Sequence, residues 1–366
     1  MTRTNLGEGD RTVPKRTGPG AGGDASTVRD VAARAGVSAS TVSRVLGGTY
    51  PVAAATRARV LRAMRELDYV VNAHARALGG ATNKTVAFVV DDVTGPFYAH
   101  IARGVEEQAA AEGRLCMLCT THGDPQRVLA VVETMREQRA DAVIVVGGAW
   151  DDKAYHQRMT HFAHALDRAG SRLVLVGRPP LGPGVPATVV DYDNEGGAFA
   201  MTTHLLSGGH RRIAYLGRIS GLSTSSQRIR GFTRAHELLG LAPDPELIMD
   251  GAFTRSYGYR AAHALLASGR EFTAVFAATD MIAAGVVQAL REAGRRIPDD
   301  IAVAGYDDIP LAKDVHPALT TVNVPQEELG RSAVRLALHR TELADSQHLV
   351  LGTHVVLRDS TRRPGD

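Results

Sequence analysis

The sequence predicts a two-part fold: a small all-α head built on a helix-turn-helix, followed by an α/β body of two doubly wound lobes. Three observations carry that expectation. Thr27–Leu46 reads as two short amphipathic helices around a glycine turn. From Thr85 onward, short apolar runs alternate with amphipathic helices, and the series is repeated. The length of 366 residues suits two or three domains.

Charge divides the chain the same way. Residues 1–80 hold 12 Lys/Arg against 6 Asp/Glu, a net +6, and the remainder holds 30 against 33, a net −3. A basic head on a mildly acidic body suggests that the head meets a polyanion. Residues 1–25 are rich in Gly, Pro and Thr without periodicity and are expected to be a disordered tail. Their Gly18, Gly20 and Gly23 form G-x-G-x-x-G, but no strand leads into it and the next helix starts late, so it is no dinucleotide site.

In the head, taken as 26–70, Thr27 and Asp30 have capping-box spacing. Val28, Val31, Ala32 and Ala35 follow at helical spacing, Gly36 stops the helix, and Ser38 can cap the next. On that second helix Val42, Val45 and Leu46 share one arc. Ala39, Ser40, Ser43 and Arg44 share the other. Small side chains with one long arginine suit close approach to a major groove. The same spacing also fits an ordinary helical hairpin with a solvated face. Gly47-Gly48 ends this helix. Ala53–Leu67 should form a third, with Val60, Leu61, Met64 and Leu67 as its apolar stripe and Arg57 near its start as a phosphate contact. Asn72–Leu78 (NAHARAL) can form about two helical turns between Asn72 and Gly79, too short to persist without a partner.

The body's apolar runs are VAFVV (86–90), LCMLC (115–119), AVIVV (142–146) and RLVLV (172–176), then IAYL (213–216), AVFA (274–277) and IAVAGY (301–306). Helical patterns separate them. Parallel sheets of this type place ligands at the carboxyl ends of their strands, and two lobes in tandem enclose a cleft. Cys116 and Cys119 sit three apart in one such strand, which sends them to opposite faces as packing residues rather than a redox pair.

Hydrophobic content of 44% and charged content of 22% are ordinary for a globular protein. No apolar run approaches the roughly 18 residues of a membrane span, and the N-terminus lacks the apolar segment of a secretory signal, so a cytoplasmic protein is expected. Enzymatic signatures are missing: there is no G-x-x-x-x-G-K-[ST], no H-E-x-x-H, and Ser220 and Ser223 lack the G-x-S-x-G elbow. His156, His161 and His164 cluster on a helical pattern that reads as a solvated or core face rather than a metal site. Neither metal nor cofactor is expected.

TVRDVAARAGVSASTVSRVL, then YVVNAHARAL, then the two-lobed body resembles the lactose/galactose repressor (LacI/GalR) family. DYDNEGGAFAMTTHLLSGGHRRIAYLG (191–217), QRIRGF (227–232), ATDMIAAG (278–285), VAGYDDIP (303–310) and HPALTTVNVP (316–325) agree, and the resemblance covers roughly 26–361. It implies a periplasmic-binding-protein-like body and a homodimeric transcription regulator, usually a repressor, acting on a near-palindromic double-stranded DNA operator. Base reading then falls on Ala39, Ser40 and Arg44, and phosphate contacts on Thr27, Thr41, Ser43, Arg57 and Asn72. Residues 71–84 match the hinge helix and linker, whose Leu78 would wedge into the minor groove. Val71 stands where the family often has proline.

The resemblance also implies a small effector between the lobes. Its candidate contacts here are Phe97, Tyr98, Arg178, Asp193, Arg228, Phe253, Asp280 and Asp307, with Thr279 a weaker one. Asp280 could instead cap the helix after it, and Phe97 and Tyr98 could be ordinary core. Arg228 suits bidentate contact to ligand oxygens. Leu222 replaces an arginine of the purine-type member, which argues against a purine, and a neutral sugar is the first expectation. Arg178 keeps an acidic or phosphorylated ligand open. Lobe membership is expected as 85–192 with 322–343, and 193–321 with 344–361, the chain crossing near 191–194, 320–323 and 343–348. The short tail STRRPGD favours a dimer over a tetramer. Two alternatives share parts of this pattern. A transporter's solute-binding protein would need secretion, and an enzyme acting on a sugar in the cleft would need a paired acid and base.

Overall fold

A computed structural model describes residues 26–47, 50–69, 84–339 and 347–361. The expected tail, hinge helix with Asn72 and Leu78, Gly48 and the crossing at 343–346 lie outside the described residues. The chain divides into two compact units, Met1–Ala81 and Thr82–Asp366.

Among the described residues, the first unit holds three helices: α1 (Val28–Ala35), α2 (Ala39–Gly47) and α3 (Ala54–Glu66). The capping box is complete, with the Thr27 amide donating to the Asp30 carboxylate at 2.7 Å and the Asp30 amide to the Thr27 hydroxyl. Gly36 ends α1 at φ 62°, a left-handed position suited to a residue without Cβ. Ser38 caps α2, accepting from the Thr41 amide. Val31, Val42 and Val60 close the core with Ala32, Ala35, Val45 and Ala63. One stripe position differs from expectation. Leu61 is 38% exposed, and Ala63 takes the buried place, so the stripe of α3 runs Val60, Ala63, Met64 and Leu67. The 3.6-residue period admits both readings until α1 fixes which side is covered.

The second unit holds the two lobes. In the first, β1 (Thr85–Val90), β2 (Leu115–Thr120), β3 (Ala142–Val146), β4 (Arg172–Val176) and β5 (Ala187–Tyr192) form a parallel sheet with spatial order β2-β1-β3-β4-β5. Between them run α4 (Pro96–Ala111), α5 (Pro125–Glu137) and α6 (Lys153–Arg168). After α7 (Asn194–Ser207), the second lobe repeats the order with β6 (Ile213–Arg218), β7 (Ile248–Asp250), β8 (Ala274–Ala277) and β9 (Ala302–Ala304), arranged β7-β6-β8-β9. Its helices are α8 (Ser223–Leu238), α9 (Arg255–Ala267), α10 (Asp280–Glu292) and the short α11 (Leu311–Asp314). In each sheet the strand order reverses beside the first strand, which opens a crevice at its carboxyl end.

The chain recrosses through β10 (Thr321–Asn323) into α12 (Gln326–Leu338), which packs on α4. Glycines permit that approach: a Cβ on Gly104 would lie 2.0 Å from the Glu327 carbonyl oxygen. The expectation that 344–361 belongs wholly to the second lobe needs correction. β11 (His348–Leu351) pairs in parallel with β5 and extends the first lobe's sheet, and only β12 (His354–Val356) returns to pair with β10. The free edge of β5 is the physical reason, since a sixth strand satisfies its backbone groups. The third crossing therefore falls at 351–354 rather than 343–348.

Cys116 and Cys119 do face opposite sides of β2, each half-buried against a different apolar cluster. Burial raises both thiol pKa values, Cys116 to about 11, the reverse of a reactive thiolate. His156, His161 and His164 are all exposed on α6.

Candidate functional site

Two surfaces carry the residues singled out above. On the head, Ala39, Ser40, Ser43 and Arg44 are exposed along one side of α2, with Thr41 half-buried beside them. Ser38 ties the turn to the helix through the hydroxyls of Ser40 (2.8 Å) and Thr41 (2.9 Å). The Arg44 guanidinium lies 5.9 Å from the Tyr50 ring centroid, a loose cation–π distance that leaves it free to reach outward. Thr27 and Arg57 are exposed at the starts of α1 and α3. The resulting face combines small side chains, hydroxyls and a cation.

In the body, a cavity of about 610 Å³ opens where both strand orders reverse. The segment after β1 gives Asp91, Asp92, Phe97 and Tyr98, and the segment after β3 gives Gly147, Gly148 and Trp150. From the second lobe come Leu222 and Thr224 after β6, Phe253 after β7, Thr279 after β8 and Asp307 after β9. Pro96 begins α4 and turns its first residues to the cleft. Phe97 and Tyr98 meet edge to face at 5.6 Å, and Phe97 lies 6.1 Å from Tyr192. Gly147, at φ 97°, passes close under Tyr98; a Cβ there would stand 3.0 Å from the hydroxyl.

Arg228 organises the floor. It is 2% exposed. Its Nε donates to the Asn194 side-chain oxygen at 2.9 Å and its Nη1 to the Ala278 carbonyl. Its Nη2 donates to the Tyr192 hydroxyl at 3.3 Å and to the Asp307 carboxylate at 3.0 Å. The guanidinium carbon lies 3.7 Å from the Tyr306 ring centroid. This corrects the expectation of a free bidentate fork: four donations are already made, so the side chain anchors Asp307 as much as it can touch a ligand. Burial lifts the Asp307 pKa to about 6, and Arg228 only partly offsets it.

Three expected contacts lie elsewhere. Asp193 caps α7, accepting from the Gly196 amide at 2.7 Å. Asp280 is fully buried and accepts from the Thr321 hydroxyl at 2.6 Å and the Ile309 amide at 2.9 Å. Nor is Asp280 the cap of α10, since Thr279 fills that role. Desolvation in this setting raises the Asp280 pKa well above its usual value. Arg178 lines a neighbouring cavity. Conversely, Asp91, Asp92, Trp150 and Tyr192 line the cavity without being expected there. Position could have flagged the first two, which follow β1 directly at its carboxyl end.

Across the cleft, the segments after β3 and β6 pair like a two-rung ladder. Ser223 N–H donates to the Ala149 carbonyl and Asp151 N–H to the Gly221 carbonyl, both at 2.9 Å, bracketing an antiparallel bridge between Trp150 and Leu222. The Ala149 amide adds a bond to the Ser223 hydroxyl at 2.9 Å.

A helix-turn-helix head joined to a two-lobed body with a ligand-sized interlobe cavity defines the class of ligand-responsive DNA-binding regulators. Residues 27–72 match the bacterial regulatory proteins of the lacI family, and 202–361 match the periplasmic binding protein-like domain. The HTH-type transcriptional regulator CelR of Thermobifida fusca is 36% identical over 91% of this chain and 98% of its own length. The HTH-type transcriptional repressor PurR of Mannheimia succiniciproducens is 33% identical over 92% and 99%. Among solved structures, a CelR–cellobiose complex matches with TM-score 0.67 and 35% identity over 92% of this chain and 99% of that one. The lac repressor dimer bound to operator and the anti-inducer ONPF matches with TM-score 0.77 and 25% identity over the same shares. The chain belongs to the LacI family and is a DNA-binding transcriptional regulator. Among the described residues, no helix is long and apolar enough to cross a membrane.

Proposed function

We propose that the protein is a repressor that binds a near-palindromic operator as a homodimer and responds to a neutral sugar held between the lobes. The observation that carries the ligand class is the lining of the interlobe cavity. Phe97, Tyr98, Trp150 and Phe253 offer flat apolar faces, and Asp91, Asp92 and Asp307 offer carboxylates. Sugar rings present C–H faces to aromatics and vicinal hydroxyls to carboxylates, so this combination suits them better than an anion. The described structure of CelR with cellobiose supports the same class. Leu222, where the purine-type member has arginine, lies against Gly148 beside the Thr224 hydroxyl and puts an apolar side chain at that position.

On the DNA side, Arg44 would read a guanine edge, Ala39 and Ser40 would allow close approach, and Thr27, Thr41, Ser43 and Arg57 would hold phosphates. Asn72 and Leu78 complete that assignment as a phosphate contact and a minor-groove wedge. The regulatory step is linkage: a ligand with different affinity for two lobe angles shifts the population that binds operator.

The test is calorimetric titration with cellobiose, glucose and hypoxanthine, alongside genomic-fragment selection for the operator. Saturable sugar binding that changes operator affinity supports the reading. Hypoxanthine binding without sugar binding would refute it.

A further inference from the structure

The interlobe ladder has a second face. Gly148, Trp150, Leu222 and Thr224 line the effector cavity, whereas Ala149, Asp151, Gly221 and Ser223 line another cavity of about 620 Å³ on the other side. Residues alternate between the two cavities on both sides of the ladder, along an irregular segment after β3 and through the turn at Gly221 into the start of α8, and Trp150 is shared.

Arg178 forms part of the second cavity's wall beside Leu175 and Met159, and is only 6% exposed. Its Nη1 donates to the Tyr155 hydroxyl at 2.9 Å and its Nη2 reaches the Val146 carbonyl at 3.4 Å. Its Nε has no partner, and no carboxylate pairs with it among the described residues. A buried cation with neither counter-ion nor a full set of acceptors is costly to maintain. Lys153 and His156 add basic groups from the start of α6, and Ser226 faces the cavity from the opposite lobe. Two carboxylates also line it. The Asp152 carboxylate is taken up by the amides of Ala154 (2.8 Å) and Tyr155 (3.0 Å), and Asp151 is exposed.

We propose that this cavity is a second ligand site, distinct from the effector cavity, for a small molecule carrying a phosphate or carboxylate group. The anion would neutralise Arg178. Because Ser223 and Ser226 come from one lobe and Arg178 and Tyr155 from the other, occupancy favours the arrangement in which the ladder is paired. Ligand here and ligand in the effector cavity are therefore thermodynamically coupled.

The test uses the full chain and inorganic phosphate, the simplest oxyanion, followed by calorimetry and ³¹P line broadening against chloride at equal ionic strength. Glucose 6-phosphate and glucose form a second, matched pair of probes. The wild type should bind phosphate saturably at millimolar concentration, and Arg178→Gln should weaken it about tenfold or more. Ser226→Glu keeps Arg178 but brings a carboxylate from the facing lobe, and should abolish phosphate binding while the thermal midpoint holds or rises. Absence of saturable phosphate binding in the wild type overturns the proposal. So does binding unaffected by both variants, and so does phosphate displaced competitively by cellobiose, which places the anion in the effector cavity instead.

Discussion

Replacing Arg228 with methionine separates its two duties. The guanidinium makes four hydrogen bonds and pairs with Asp307 where the two side chains are 2% and 8% exposed. Methionine keeps volume but leaves the Asp307 carboxylate buried without its counter-charge. Breaking such a pair from one side costs about 3–5 kcal/mol, largely the penalty of the orphaned charge. At about 2–4 °C per kcal/mol for domains near this size, Arg228→Met should lower the thermal midpoint by about 6–20 °C. The double variant Arg228→Met with Asp307→Asn removes the orphaned charge, and asparagine tolerates the positive φ of 108° at that position. It should recover more than half of the loss. Circular dichroism melts of the four proteins form a double-mutant cycle. If Arg228→Met melts within about 2 °C of wild type, or if the double variant is no better than the single, the pair is not what holds this floor together.

The pH dependence of the same pair has a definite sign. Folded Asp307 titrates near 6 against an ordinary 3.8, so between those values the folded protein holds a proton that the unfolded chain has released. This group's contribution to stability is therefore fully favourable below 3.8 and falls as pH rises through 6. Sugar hydroxyls donate to the ionised form, so effector affinity should fall as pH drops below 6, and Asp307→Asn should flatten that profile in calorimetry. Arg44→Ala should cost about 1–3 kcal/mol of discrimination between operator and random DNA in anisotropy titrations, with the head's melting unchanged because the side chain is exposed. Gly104→Ala would force α4 away from the Glu327 backbone and should destabilise by about 1–3 kcal/mol in urea melts.

Local rules made the head legible. Thr27, Asp30, Gly36 and Ser38 act within four residues of themselves, so spacing alone anticipates their bonds. Parallel strands buried on both faces, such as Ala142–Val146, announce themselves as apolar runs. β5 and β11 do not. The first is a short run interrupted by Thr188 and Asp191, and the second is an edge strand whose alternate residues are exposed, so nothing but the partner edge marks it as part of the first sheet. Asp193, Asp280 and Asp307 looked alike as acids near strand ends. What separates them is long-range: Thr321 claims Asp280 from 41 residues away, and Arg228 claims Asp307 from 79. Tyr192 and Trp150 entered the cavity for the same reason, through neighbours far along the chain.

Among the described residues, the chain passes between the lobes three times, through 192–194, 323–326 and 351–354, and the Asp307 backbone is bonded on either side of the middle passage, to Val322 before it and to Gln326 at its end. Three tethers leave the lobes little freedom to slide or separate, but they can still pivot. Asp307 thus rides on the axle itself. On the proposed reading, a sugar gripping this carboxylate and the aromatics of the opposite lobe would measure a single angle, and the strength of its grip would be the reading.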